Sequence, residues 1–174
     1  MMDFAGLADG KVTLRPFSRD DITPAYLGWL NDPEITRFSN QRFRTHTRAS
    51  AADYLAGFEG SANLFLSIRD AADDTAIGTM SAYRIPHHGL ADIGIMVGAR
   101  SRWGAGYGQA AWNLLSDWLL ANGTRKLTGG TLAGNGGMVR IFERSGMHLE
   151  ATRKDHEIVE GTPMDILLYA RFAD

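Results

Sequence analysis

The residues of this 174-residue chain best placed to do chemistry are its glycines. They gather between Gly94 and Gly146, and the densest run reads Arg102-Trp103-Gly104-Ala105-Gly106-Tyr107-Gly108-Gln109-Ala110. Apolar periodic segments flank the cluster, which favours tight turns or backbone-mediated binding over disorder. Glycines let successive N–H groups turn toward one point, and the helix expected to follow adds positive potential there. A pyrophosphate is the natural guest; a plain glycine turn is the alternative. Two nucleotide motifs fail. The P-loop ends in Gly-Lys-Ser/Thr, which is missing. The dinucleotide fingerprint needs a glycine three places after Gly106, where Gln109 stands, and no βαβ unit opens the chain.

Charged groups form the second constellation. Between Ile35 and Ala52 stand Arg37, Arg42, Arg44 and Arg48 with no acidic residue. In a chain of formal net charge -2 this local excess suggests an anionic ligand, with a solvated basic face as the competing reading. The weakly acidic whole argues against nucleic acid or an anionic membrane as partner. His46, His87, His88 and His156 are weak candidates for proton transfer. The adjacent pair His87-His88 is no metal site without further ligands, because neighbouring side chains on an extended loop diverge. No cysteine is present, which excludes disulfides, thiolate metal sites and a cysteine nucleophile. No metal is expected. The apolar segment Ala110–Ala121 carries Asn113, Ser116 and Asp117 and is too short to span a bilayer. No signal peptide is readable before Lys11, and a cytoplasmic location is expected.

The elements that must position these residues follow from periodicity. Lys11 to Pro16 alternates as a strand, and Ser18 with Asp21 forms a capping-box-like start to a helix reaching about Leu30. Asp32 and Pro33 restart a short helix, and Ala49 to Phe58 makes a third. Strands are expected over Asn63–Arg69, Thr75–Ile85 and Leu90–Val97. The glycine loop then opens a helix with Ala111, Leu114, Leu115, Trp118 and Leu119 on one face, stopped by Asn122-Gly123. Lys126–Leu132 is a strand, Asn135 caps a helix over Gly136–Arg144, and two strands close the chain, Met147–Val159 and Met164–Phe172. The absence of linkers and repeats gives one α+β domain over 1–174, its core about 11–172, with a mixed, mostly antiparallel sheet.

From Arg102 to Ala110 the chain resembles the acetyl-CoA signature of the GCN5-related N-acetyltransferases, Gln/Arg-x-x-Gly-x-Gly/Ala. Trp103 stands in the first position, and Gly106 and Gly108 are the paired small residues. Tryptophan there resembles the ribosomal-protein N-acetyltransferase branch. Asn135 to Gly146 looks like the family's helix beside the CoA thiol. Arg153-Lys154-Asp155-His156-Glu157 and Asp165-Ile166-Leu167-Leu168-Tyr169 resemble its last two strands. The likeness runs from about Val12 to Phe172. It implies a twisted sheet with splayed central strands and flanking helices, and acetyl-CoA as co-substrate. Arg102, Trp103, Gly104, Ala105, Gly106, Tyr107, Gly108 and Gln109 would then meet the pyrophosphate. Backbone near Met96 and Val97 would pair with the pantetheine, and Asn135 and Phe142 would flank the thiol.

The same resemblance assigns the proton chemistry. Ala91-Asp92-Ile93-Gly94 matches the family's Ala-Glu-Ile-Gly, which makes Asp92 the first candidate general base; a solvated strand carboxylate is the alternative. Many members carry a tyrosine where this chain has Phe142, which has no proton to give. Water held by Asn135, a hydroxyl such as Tyr83 or Tyr107, or no dedicated acid would take its place. Tyr26-Leu27-Gly28-Trp29-Leu30-Asn31-Asp32-Pro33-Glu34 and Arg42-Phe43-x-x-His46-Thr47 look like acetyltransferases of nucleotide-linked amino sugars. That likeness implies acceptor contacts from Trp29, Arg37, Arg42, Arg44 and His46, with Trp29, Phe38 or Phe43 as an aromatic platform. The competing readings are acetylation of a ribosomal or other protein's N-terminal α-amine, and a catalytically silent acyl-CoA sensor. Partners reduce to a small-molecule amine, with the chain a monomer or homodimer.

Overall fold

The computed structural model describes residues 4–173. Eight strands form one sheet in the order β1-β2-β3-β4-β5-β6-β8-β7. They are β1 (Leu7–Ala8), β2 (Val12–Pro16), β3 (Leu64–Asp70), β4 (Ala76–Ile85), β5 (Leu90–Val97), β6 (Lys126–Leu132), β7 (His148–Val159) and β8 (Thr162–Phe172). Every neighbouring pair is antiparallel except β5 and β6. Helices α1 (Pro24–Leu30), α2 (Arg48–Ala56), α3 (Tyr107–Ala121) and α4 (Gly136–Arg144) cover the sheet. This is the mixed α+β architecture expected.

Strand alternation divides the core in two. Leu66, Ile68, Ile93 and Ile95 point toward α3 and α4, where Trp112, Leu115 and Phe142 fill the larger core. Phe65 and Met96 point to the opposite face and pack with Tyr26, Ala51 and Leu55 of α1 and α2. β5 therefore reaches both helical layers, and its loss of pairing matters most.

β5 and β6 are in register only over Leu90↔Lys126, Ala91↔Leu127 and Asp92↔Thr128. Beyond that point β5 stays with β4 through Val97↔Gly78, while β6 stays with β8 through Leu132↔Ile166. The two strands splay. The edge of β5 from Ile93 onward is left without ladder partners on that side, and such backbone groups need a partner from elsewhere.

The expected helix over Ser18–Leu30 is two pieces, a 3₁₀ turn at Arg19–Asp21 and then α1. Pro24 has no N–H and disfavours helical backbone before it, so the helix must begin at Pro24 with Thr23 as its cap. Asp21 accepts from the Ser18 N–H at 2.8 Å, as its spacing suggested, and is buried against Arg15 and Arg69. The short helix expected at Asp32–Glu34 is a turn instead. There the Asp32 carboxylate accepts from the Glu34 N–H at 2.9 Å. β1 and the 3₁₀ turns at Asn40–Phe43 and Arg100–Arg102 were not anticipated. No described helix is long and apolar enough to cross a membrane.

Candidate active site

A cleft of about 1130 Å³ opens where β5 and β6 part. The phosphate-type loop forms one end of it. Gly104 and Gly106 adopt left-handed backbone, φ 72° and 84°, and Gly106 is the N-cap of α3. The next N–H groups of the helix have no partner within it, so they face the cleft mouth as donors. Gly108 permits a close approach, because a Cβ there would lie 3.3 Å from Ile141 and 3.4 Å from Val97. The Trp103 indole donates to the Val97 carbonyl at 2.7 Å, fastening the loop to the end of β5.

Behind the loop lies a residue that sequence reading missed. Asp70 is buried and accepts from the Ala72 N–H, the Tyr107 hydroxyl at 2.9 Å and the Arg102 guanidinium at 3.0 Å. The Ala72 N–H, with Tyr107 and Arg102, holds its carboxyl below the usual carboxylate range. The bond to Asp70 in turn raises the Tyr107 hydroxyl, which is committed there and not free to protonate a leaving thiolate. Gln109 is likewise engaged, donating to Ser145 at 2.7 Å and Asn113 at 3.0 Å, which ties α3 to the end of α4. Because Asp70 fixes both flanks of the loop, Asp70→Asn should weaken CoA binding about tenfold without unfolding the protein. Calorimetric titration with CoA, beside a thermal melt, checks this.

The far wall is α4. Asn135 caps it, its Oδ1 accepting from the Met138 N–H at 3.2 Å, and it lines the cleft. Phe142 is 1% exposed and packs between Trp112 and Tyr169 at centroid distances of 5.2 and 4.9 Å. Phe142 lines the cleft and offers it no polar atom. Arg140 and Arg144, one helical turn apart, also line this wall; their i, i+4 spacing was the signal available. Lys11 stands 4.6 Å over the Tyr107 ring, beside the glycine loop. Five arginines and one acidic residue, Glu34, line the cleft, so its field favours anions.

The remaining expected residues divide. Met96, Val97, Arg37, Arg44 and His46 line the cleft. Ala105, Trp29, Arg42, Tyr83 and Asp92 do not. Trp29 packs against Gly98, where a Cβ would lie 2.1 Å from the indole, so it serves packing. Arg42 stacks on Phe43 and pairs with Glu157. Arg37 pairs with Glu160, which leaves Arg44 facing the cleft with no ion-pair partner among the described residues. Tyr83 shares a hydrogen bond of 2.7 Å with Tyr54, whose ring does line the cleft. Burial and the Tyr83 hydroxyl push Tyr54 well above the ordinary phenol range. Asp92 sits at the last β5–β6 register pair, just below the fork, and accepts from the Thr128 hydroxyl at 2.6 Å. Its outer edge meets solvent, yet surrounding protein raises its carboxyl, partly offset by Thr128.

Residues 11–148 match the family model described as an acetyltransferase (GNAT) domain. The chain belongs to that family. It is an N-acetyltransferase with acetyl-CoA as co-substrate, and the glycine-capped helix and unpaired β5 edge suit that molecule. Solved structures share the GNAT fold. A spermidine N-acetyltransferase from Vibrio cholerae, with CoA and spermine, is 18% identical at TM-score 0.82, covering 95% of this chain and 97% of that one. A ribosomal-protein-S5-alanine acetyltransferase from Vibrio fischeri is 18% identical at TM-score 0.81, covering 97% of each. A microcin C7 self-immunity acetyltransferase, with acetyl-CoA and AMP, is 17% identical at TM-score 0.79, covering 94% of this chain and 93% of that one. A search of curated proteins finds no match.

Proposed function

We propose that this GNAT acetyltransferase acetylates a primary amine of a small anionic molecule, a nucleotide-linked amino sugar. The observation that carries the reading is the acceptor side of the cleft. The segment from Glu34 to His46 folds over it and brings Arg44 and His46 to the cleft, with Arg37 also lining it but held by Glu160, while the one acidic lining residue, Glu34, is engaged by Arg100. A polycation would meet repulsion there, and a polypeptide chain would need an open groove where this segment lies. A protein of the same fold has acetyl-CoA and AMP bound together, which is compatible with a nucleotide-bearing acceptor.

In the reaction the neutral amine attacks the acetyl carbon, a C–N bond forms and the C–S bond breaks. A free primary amine titrates near about 10, so a base must take its proton. Asp92 fills that role through a bridging water, because it lies below the fork and not in the cleft wall. The loop glycines and the N-terminus of α3 hold the pyrophosphate, with Lys11, Arg140 and Arg144 adding positive charge. Phe142 offers no proton, so the leaving thiolate takes one from water ordered near Asn135 or departs unprotonated.

Thiol release from acetyl-CoA tests the assignment against nucleotide-linked 4-amino sugars, ribosomal-protein N-terminal peptides and polyamines. Turnover on the sugars alone is expected. Turnover on peptides would reassign the acceptor side to a polypeptide.

A further inference from the structure

The segment over the acceptor side is closed at its base and tethered at its tip. At the base, Asn31 Nδ2 donates to the His46 carbonyl at 2.9 Å and Asn31 Oδ1 accepts from the His46 N–H at 2.8 Å. Loops with joined ends are compact surface units, and turn bonds such as Ser39 N–H to the Thr36 carbonyl and Arg44 N–H to the Gln41 carbonyl fold this one internally. It leans on the tip of the β7–β8 hairpin. Arg37 pairs with Glu160 at 3.0 Å, and Asn40 donates to Glu157 at 3.2 Å. Arg42 donates to the Ile158 carbonyl at 3.1 Å and pairs with Glu157 at 3.5 Å. The hairpin is a firm support: Glu160 and Gly161 take positive φ, 50° and 81°, the signature of a tight two-residue turn. Phe38 adds an apolar contact, since a Cβ on Gly134 would lie 3.1 Å from its ring and 3.0 Å from Met164 of β8.

We infer that Glu157 and Glu160 are positioning residues for the acceptor, acting at a distance by anchoring the loop that brings Arg44 and His46 to the cleft. Neither glutamate lines the cleft itself. Arg37 and Arg42 serve the anchor, and the charge offered to the acceptor comes from Arg44. The Arg42–Glu157 pair is the more sheltered, with side chains 14% and 21% exposed, whereas Arg37–Glu160 is open at 49% and 67% and yields readily to salt. Without the anchor the loop would have to be ordered at the moment of binding, and acceptor affinity would fall by that cost. The inference rests on the reading of this loop as the acceptor side.

Charge exchange separates an anchor from an acceptor contact. Glu160→Arg, Arg37→Glu and the two together are compared by amide hydrogen exchange over residues 36–46, with no acceptor present. Each single reversal should speed exchange there about fivefold, and the pair should return it to within about twofold of the wild type. Exchange in α3 should not move. Unchanged exchange in the single variants, or no recovery in the pair, would overturn the anchor. The kinetic arm uses a UDP-linked 4-amino sugar: its KM should rise in each single variant and recover in the pair, while the KM for acetyl-CoA stays fixed. A KM that stays high in the pair while exchange recovers would make Arg37 an acceptor contact and overturn its assignment to the anchor. Failure of the wild-type enzyme to use that sugar would remove the acceptor reading, and the exchange arm would still decide the anchor.

Discussion

Gly106→Glu is expected to abolish CoA binding, raising Kd at least about 100-fold, because two independent penalties fall on one position. The first is conformational. Gly106 sits at φ 84° as the N-cap of α3, and a side chain in left-handed backbone costs about 1–2 kcal/mol. The second is electrostatic, since the new carboxylate would stand at the helix N-terminus where an incoming phosphate must lie. Steric clash with the protein contributes little: a Cβ there meets only the Lys11 Cε, at 3.8 Å. Gly106→Ala therefore isolates the conformational penalty: the free loop relaxes out of the left-handed form and must be returned to it on binding, so a Kd up to about tenfold weaker is expected. Isothermal titration with CoA, run beside a melt to show that both variants fold, measures the difference. Wild-type affinity in the glutamate variant would detach the loop from phosphate binding.

Asp92→Asn carries the other large effect. Removal of a general base lowers kcat by about 10²–10⁴-fold. The pH dependence gives the sharper signature. Burial raises the Asp92 carboxyl, so its ionised, proton-accepting form builds up at higher pH than an ordinary carboxylate would. The wild-type rate should climb through that raised value, whereas the asparagine variant should lose that limb and rise only as the amine itself loses its proton. Stability should move the opposite way. A carboxyl whose folded pKa is raised opposes folding once the pH exceeds its unfolded value, so neutralising it should leave Tm at neutral pH unchanged or slightly higher. Acetyl-CoA affinity should not change, because Asp92 lies outside the cleft wall. An unaltered pH–rate profile would reduce Asp92 to a partner of Thr128.

Where local chemistry decides, the sequence was readable. β5, β6 and α4 have the bounds that alternation and the Asn135 cap assign. The helix expected after the glycine loop is there, though it begins at Tyr107 and takes Gly108 into its first turn. Errors fell where one residue overrides a pattern. Pro24 splits the helix drawn from Ser18, because its missing N–H and its effect on Thr23 outweigh the apolar periodicity on either side. Asp32 folds its carboxylate back onto the Glu34 N–H and makes a turn where an N-cap and proline suggested a helix.

The acceptor arginines show the limit most clearly. Their spacing gave a local excess of positive charge, with no acidic residue between Ile35 and Ala52. Their partners, Glu157 and Glu160, lie more than a hundred positions away on a hairpin tip. The same holds for Asp70, which reaches the glycine loop only because β3 ends beside the start of α3. Tyr54 had no motif around it, and its place in the cleft follows from the packing of α2 on β3.

By itself, the sequence determined the element order, the α+β class, the glycine-capped helix and the acetyltransferase likeness. These depend on periodicity, capping and backbone freedom, which act within a few residues of each other. Only the tertiary structure decided that β5 and β6 part after Asp92, that Asp92 stays below the fork, and which arginines remain free to meet a ligand. Strand divergence and ion pairing are settled by segments distant in the chain competing for the same partners, and that competition leaves no periodic trace in the sequence.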